Sequence, residues 1–211
     1  MLPALPNGVQ LTLSAPGWGR GVGTGGAVWP AAGALCRCLR DERLDGLSVL
    51  ELGTGTGAVG LFAAGCGARS VVLTDADASL CSLAAENWRS NRNVLPEGTS
   101  VTTRRYRWGE PVDLLGGPFE LVVGSDVTYE PRAHGVLLRT LSTLLETATA
   151  APPRILLAHQ HRPLTSALKG EGCLEHLMEE ARRRGLVARE RPAVRAGLGV
   201  VSLIEVSRGA G

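Results

Sequence analysis

Short apolar runs alternate along the chain with longer stretches of helical spacing. The run 47–52 is apolar apart from Ser48 and Glu51, long enough for a buried strand and too short for a helix. Similar runs at 70–74, 119–123, 154–159, 186–190 and 200–206 predict further strands, and 101–106 predicts a weaker one. At 9–13 apolar and polar residues alternate strictly, which predicts a short edge strand. Between these lie helical patterns over 31–39, from 58 to 65, and over 79–91, 136–145 and 174–184. Apolar positions 137, 138, 141, 144 and 145 fall on one helical face. Pro30 suits a helix first turn, and the arginines at 182–184 suit a helix C-terminus before Gly185. Strands alternating with helices predict an α/β fold with a mostly parallel sheet.

The strand 47–52 runs into Gly53, Gly55 and Gly57 and then a small-residue helix. Such a turn brings bare backbone and unpaired helix N–H groups to a ligand at the carboxyl end of a parallel strand. Two registers compete. Gly55, Gly57 and Gly60 spell the G-x-G-x-x-G of dinucleotide sites. That register leaves Gly53 and Thr54 extending the strand where the turn should have begun. The register E-L-G-T-G-T-G, with Glu51 two residues before Gly53, fits better.

Other candidates cluster at strand ends. Asp75 closes the strand 70–74 about 20 residues past the glycine turn, where a ribose hydroxyl pair is held. Asp77 competes, but an aspartate there caps the next helix. The turn Ser125-Asp126-Val127-Thr128-Tyr129 follows the strand 119–123 and sets an acid and a phenol three residues apart. Trp29, at a helix start beside the glycine-rich loop 17–26, reads either as a core residue capping the sheet or as a cofactor contact. Trp108 reads either as a packed aromatic or as a flat surface for an adenine. His159 and His161 fit a structural strand-end pair better than a catalytic one. Arg104, Arg105 and Arg107, interleaved with Tyr106 and Trp108, fit a solvated edge.

Composition narrows the classes. The chain has 211 residues, 44% hydrophobic and 20% charged, which suits one domain with a full core. A net charge of +2 argues against a nucleic-acid partner. Five scattered cysteines without a Cys-x-x-Cys pair indicate neither zinc nor a disulfide framework, so no metal is expected. They fit a reducing compartment, cytoplasmic or nuclear. No apolar run reaches membrane-spanning length, and no secretory signal is evident. The segment 1–28 reads as an N-terminal strand and glycine-rich loop belonging to the same domain as 29–211. A monomer is expected.

Together V-W-P-A-A at 28–32, E-L-G-T-G-T-G at 51–57, L-T-D at 73–75, W-G at 108–109 and S-D-V-T-Y at 125–129 resemble the family-16 seven-β-strand S-adenosylmethionine-dependent methyltransferases. The last piece is similar to that family's Asp-x-x-Tyr signature. The resemblance implies a Rossmann-like seven-stranded sheet, mostly parallel with an antiparallel last strand and helices on both faces. It implies S-adenosylmethionine as cofactor and a protein substrate, with methyl transfer to a side-chain nitrogen, lysine first. It places Trp29, Glu51, Gly53, Thr54, Gly55, Asp75, Trp108 and Ser125 at the cofactor, and Asp126 and Tyr129 at the target amine. Other acceptors, a small molecule or a nucleic acid, and a cofactor-binding module without turnover remain as alternatives.

Overall fold

The structure, a computed structural model, describes residues 1–17, 23–148, 151–161, 172–192, 194–196 and 199–209. Five strands run parallel: β1 (Ser48–Leu52), β2 (Ser70–Asp75), β3 (Ser100–Arg105), β4 (Leu121–Ser125) and β5 (Arg154–His161). The sheet continues through β6 (Leu186–Glu190) and β8 (Gly199–Arg208) in the order β3-β2-β1-β4-β5-β8-β6. β8 is antiparallel to β5 and β6 is antiparallel to β8, so β8 alone opposes the others on this seven-strand path. A three-residue strand, β7 (Val194–Ala196), pairs with β8 off the path. This is the Rossmann-like α/β sheet expected from the alternating pattern, with β7 added.

Helices cover both faces. α1 (Pro30–Arg40), α2 (Ala58–Gly65) and α3 (Ala78–Asn91) pack on one, through Leu35, Leu39, Phe62 and Ala84 against Val49, Val71 and Leu73. α4 (Pro131–Glu146) and α5 (Cys173–Arg183) pack on the other, through Leu137, Leu141 and Leu177 against Leu50, Leu52 and Val122. Alternate residues of β1 thus serve opposite layers, the period-two rule of a strand buried on both sides. All five residues of β1 are buried, including the charged Glu51.

Three expectations need correction. The segment 9–13 is not an edge strand. Its alternation is real, since Leu11 is buried and Leu13 packs on the core, but it lies against α3 instead of a strand. Its backbone is paired by side-chain amides. Asn91 accepts from Thr12 N–H at 2.8 Å and donates to Thr12 carbonyl at 2.7 Å. Asn87 treats Ser14 the same way, at 2.7 and 3.0 Å. The two asparagines are four apart and share one helix face, so they stand where a neighbouring strand would. Second, β4 runs two residues later than 119–123. Gly124 continues the strand, paired with Leu157 of β5, and a side chain there would start 2.9 Å from Val127 and 3.0 Å from Leu157. Third, α4 begins at Pro131, five residues before 136, with the Glu130 carboxylate capping Arg132 N–H. Within the glycine-rich loop 17–26, residues 18–22 lie outside the described residues.

Candidate active site

A cavity of about 460 Å³ opens at the carboxyl ends of β1, β2 and β4. It is lined by all ten residues singled out from the sequence: Trp29, Glu51, Gly53, Thr54, Gly55, Asp75, Trp108, Ser125, Asp126 and Tyr129. The rim position is the one open α/β sheets use for ligands.

The glycine turn is shaped by the residues around it. Gly53 and Gly55 have φ of +66° and +52°, in the left-handed region. A side chain on Gly53 would meet Val127 at 2.7 Å, and Trp108 Cζ2 lies 3.6 Å from the same point. Trp108 therefore lies over the turn. A side chain on Gly55 would start 2.6 Å from the Gly25 carbonyl. The loop 23–27 therefore crosses over the glycine turn and forms one wall of the cavity. The turn register beginning at Gly53 is the one the backbone follows; Gly60 sits inside α2, packed on Leu73.

Glu51 holds this turn from below. Its Oε2 accepts the Thr54 hydroxyl at 2.6 Å and the Gly60 N–H at 3.0 Å. Burial pushes its carboxyl up to about 7, against the lowering effect of those two bonds. Asp75 holds the turn from the side, accepting Gly55 N–H at 3.1 Å through Oδ2 and Asp77 N–H at 3.1 Å through Oδ1. Burial raises the Asp75 carboxyl too. Asp77 is exposed and caps α3 by accepting Ser79 N–H at 2.8 Å, and of the two acids only Asp75 lines the cavity.

Trp29 is half-buried at the N-cap of α1, and its indole N–H donates to the Thr24 carbonyl at 2.9 Å. It lines the cavity. The Thr24 hydroxyl lies 3.4 Å from the Tyr129 hydroxyl, linking the N-terminal loop to the β4 turn. Asp126 is buried and adopts φ +57°, the only non-glycine residue at positive φ among those described. Its N–H donates to the Ala158 carbonyl at 2.7 Å. Holding an L-residue there costs roughly 1–2 kcal/mol, which the surrounding bonds must offset.

His159 and His161 do not line the cavity. His159 is fully buried with Nδ1 2.8 Å from the Thr128 hydroxyl, and His161 Nε2 lies 2.7 Å from the Ser202 hydroxyl. Arg104 and Arg105 are exposed on the β3 edge, where Arg104 donates to the Leu114 carbonyl and Arg105 pairs with Glu110 at 3.7 Å. Arg107 is the one cation among the described lining residues, against three acids. Thr24 was not visible from sequence, since it sits in a glycine-rich stretch without periodicity.

The donor set fits S-adenosylmethionine. A carboxylate stands at the end of β2, Gly53 and Gly55 line the cavity with backbone, and the acidic lining suits a sulfonium. Comparison with known proteins agrees. Residues 10–169 match the family model described as lysine methyltransferase, and the chain belongs to that family. It is 39% identical over 132 residues to the zebrafish (Danio rerio) protein N-lysine methyltransferase METTL21A, covering 60% of this chain and 58% of that one. It is 33% identical over 129 residues to mouse (Mus musculus) EEF1A lysine methyltransferase 3, covering 60% and 53%. The chain thus matches little more than half the length of these relatives. The fold resembles the magnesium protoporphyrin IX methyltransferase of Synechocystis, solved with SAH bound, with a TM-score of 0.58 at 19% identity, covering 83% of this chain and 80% of that one.

Proposed function

We propose that this protein moves the methyl group of S-adenosylmethionine to a side-chain nitrogen of another protein, lysine in the first instance. The observation that carries the reading is the meeting, in one cavity, of Asp75 bonded to the glycine turn with Asp126 and Tyr129 on the β4 turn. The first pair suits a nucleoside; the second suits an amine. The relatives whose names specify lysine support the acceptor.

In this reading Asp75 accepts the ribose hydroxyls, and Gly53 and Gly55 let the cofactor lie against bare backbone. Trp29, Thr54, Trp108 and Ser125 line the cofactor, and Glu51 keeps the turn in shape. When bound, S-adenosylmethionine supplies a methyl group activated by its sulfonium. The chain's residues then align the acceptor, exclude water and set the charge around it. A lysine ammonium, with an ordinary pKa of about 10.4, must shed its proton before its lone pair can react. Partial burial lowers that value, so a dedicated strong base is unnecessary. Asp126 orients the amine by accepting a hydrogen bond, and Tyr129 narrows the slot. The five cysteines, none of them in a disulfide, support a reducing compartment, cytoplasmic or nuclear. Among the described residues no helix is long and apolar enough to cross a membrane.

The test is incubation with methyl-labelled S-adenosylmethionine and cell lysate, followed by fractionation and peptide sequencing. Label on lysine in a protein fraction is expected. Label confined to nucleic acid or small molecules overturns the acceptor, and no label with intact cofactor binding leaves a binding module.

A further inference from the structure

The turn bearing Asp126 and Tyr129 is held from behind by groups that do not line the cavity. His134, on the first turns of α4, is fully buried, and its Nε2 lies 2.9 Å from the Thr128 carbonyl. A carbonyl oxygen only accepts, so Nε2 carries the proton and donates. In the neutral ring Nδ1 is then an acceptor. It lies 2.9 Å from His176 Nδ1 on α5, which therefore supplies the hydrogen. The same residue, Thr128, has its hydroxyl 2.8 Å from His159 Nδ1 on β5. One residue on, the Tyr129 carbonyl accepts from Cys173 Sγ of α5 at 3.3 Å. Burial and the neighbouring His176 hold the His134 ring below the ordinary histidine value, so it stays neutral in this role.

We infer that His134 is a positioning residue for methyl transfer, its Nε2–H fixing the Thr128 carbonyl and through it the Asp126–Tyr129 turn. This rests on the proposed amine methyl transfer at that turn. Asp126 keeps a left-handed backbone that an aspartate adopts only under restraint, and Thr128 is the point on the turn gripped through both side chain and carbonyl. A histidine linked only for packing would make its nitrogens interchangeable. Here one nitrogen holds the turn and the other meets α5, so the two sides can be removed separately.

Glutamine places its amide N–H where imidazole Nε2 lies, whereas asparagine reaches only as far as Nδ1. His134→Gln therefore keeps the donor to Thr128, and His134→Asn loses it. Two measurements decide. Hydrogen exchange of the peptide spanning 124–132, taken without cofactor or substrate, is expected to quicken about tenfold or more in His134→Asn and to stay near wild type in His134→Gln. In methyl transfer, kcat is expected to fall roughly tenfold or more for His134→Asn, with S-adenosylmethionine affinity within about twofold, and to recover for His134→Gln. Equal exchange in the two variants overturns the inference, whatever the activity. So does a loss of cofactor affinity in His134→Asn as large as its loss of turnover. An exchange difference in a protein that methylates no protein fraction supports His134 as anchor of the turn and overturns the activity reading instead.

Discussion

The Asp75 carboxylate accepts the backbone N–H of Gly55 at 3.1 Å, so the acid at the end of β2 and the glycine turn after β1 are one bonded unit. Each is shaped by the other before any ligand arrives.

Replacing Asp75 should therefore cost more than a ligand contact. Asp75→Ala is expected to weaken S-adenosylmethionine binding by about 1.5–3 kcal/mol, the scale of hydrogen bonds to a charged group. Asp75→Asn keeps an oxygen for Gly55 and should fall between wild type and alanine. Calorimetry on the three proteins checks this. Equal affinity in all of them would place the ribose contact elsewhere.

Asp126 separates chemistry from stability. Asp126→Gly removes the carboxylate while suiting the φ of +57°, so the melting temperature should hold or rise. Turnover should nonetheless drop by about 10²-fold, the scale of a misplaced reacting group, with cofactor affinity little changed. Tyr129→Phe keeps the ring but loses the hydroxyl that faces Thr24, which separates shape from hydrogen bonding at the slot. Steady-state kinetics beside thermal melts give the answer; a parallel fall in affinity and turnover would count against the assignment.

Glu51 makes stability depend on pH. Its carboxyl sits at about 7 in the fold against an ordinary 4.5, so the folded chain holds this proton more tightly than the unfolded chain. Between those values the unfolded state binds fewer protons, and the slope of stability with pH is negative. The contribution is greatest below about 4.5 and is lost as pH rises through about 7, a total of roughly 3 kcal/mol. Glu51→Gln keeps an acceptor for Gly60 and Thr54 without the charge. Its stability relative to wild type should increase from pH 5 to pH 8 in urea titrations; parallel curves would mean that the carboxyl titrates normally.

Asn87 ties three pieces together. Besides Ser14, it donates to the Thr56 carbonyl in the glycine turn at 2.8 Å. Asn87→Ala leaves buried backbone groups unpaired and should cost about 2–3 kcal/mol of stability. Asn87→Asp has the right shape but no donor and should do no better. Denaturant unfolding of both variants tests the point, and a harmless Asn87→Asp would mean that acceptance from Ser14 alone suffices.

Apart from β7, which no pattern announced, the strands were legible because most are short, apolar and bounded by turn residues, and β1 with its glycine turn located the cavity. Asp75 and Asp126 could be placed because strand ends in such sheets face one rim. The segment 9–13 misled because alternation reports a half-buried extended chain and says nothing of what lies beside it; here it is a helix face bearing Asn87 and Asn91. The start of α4 stayed hidden because glutamate is a weak cap signal. His134 was hidden with it, since its role depends on α4, α5 and the β4 turn meeting in space.

The antiparallel strand β8 has a consequence for synthesis. The family likeness ends at residue 169, and every residue in the proposed chemistry precedes 130. Yet β5, with Ile155 to Ala158 buried, has no neighbour on its far side until β8 arrives. A nascent chain halted there would carry every residue assigned to cofactor and amine beside an open apolar sheet edge, the template for sticking to another chain. Truncation at the end of the recognisable family region should give aggregates, and addition of residues up to 208 should restore a discrete particle.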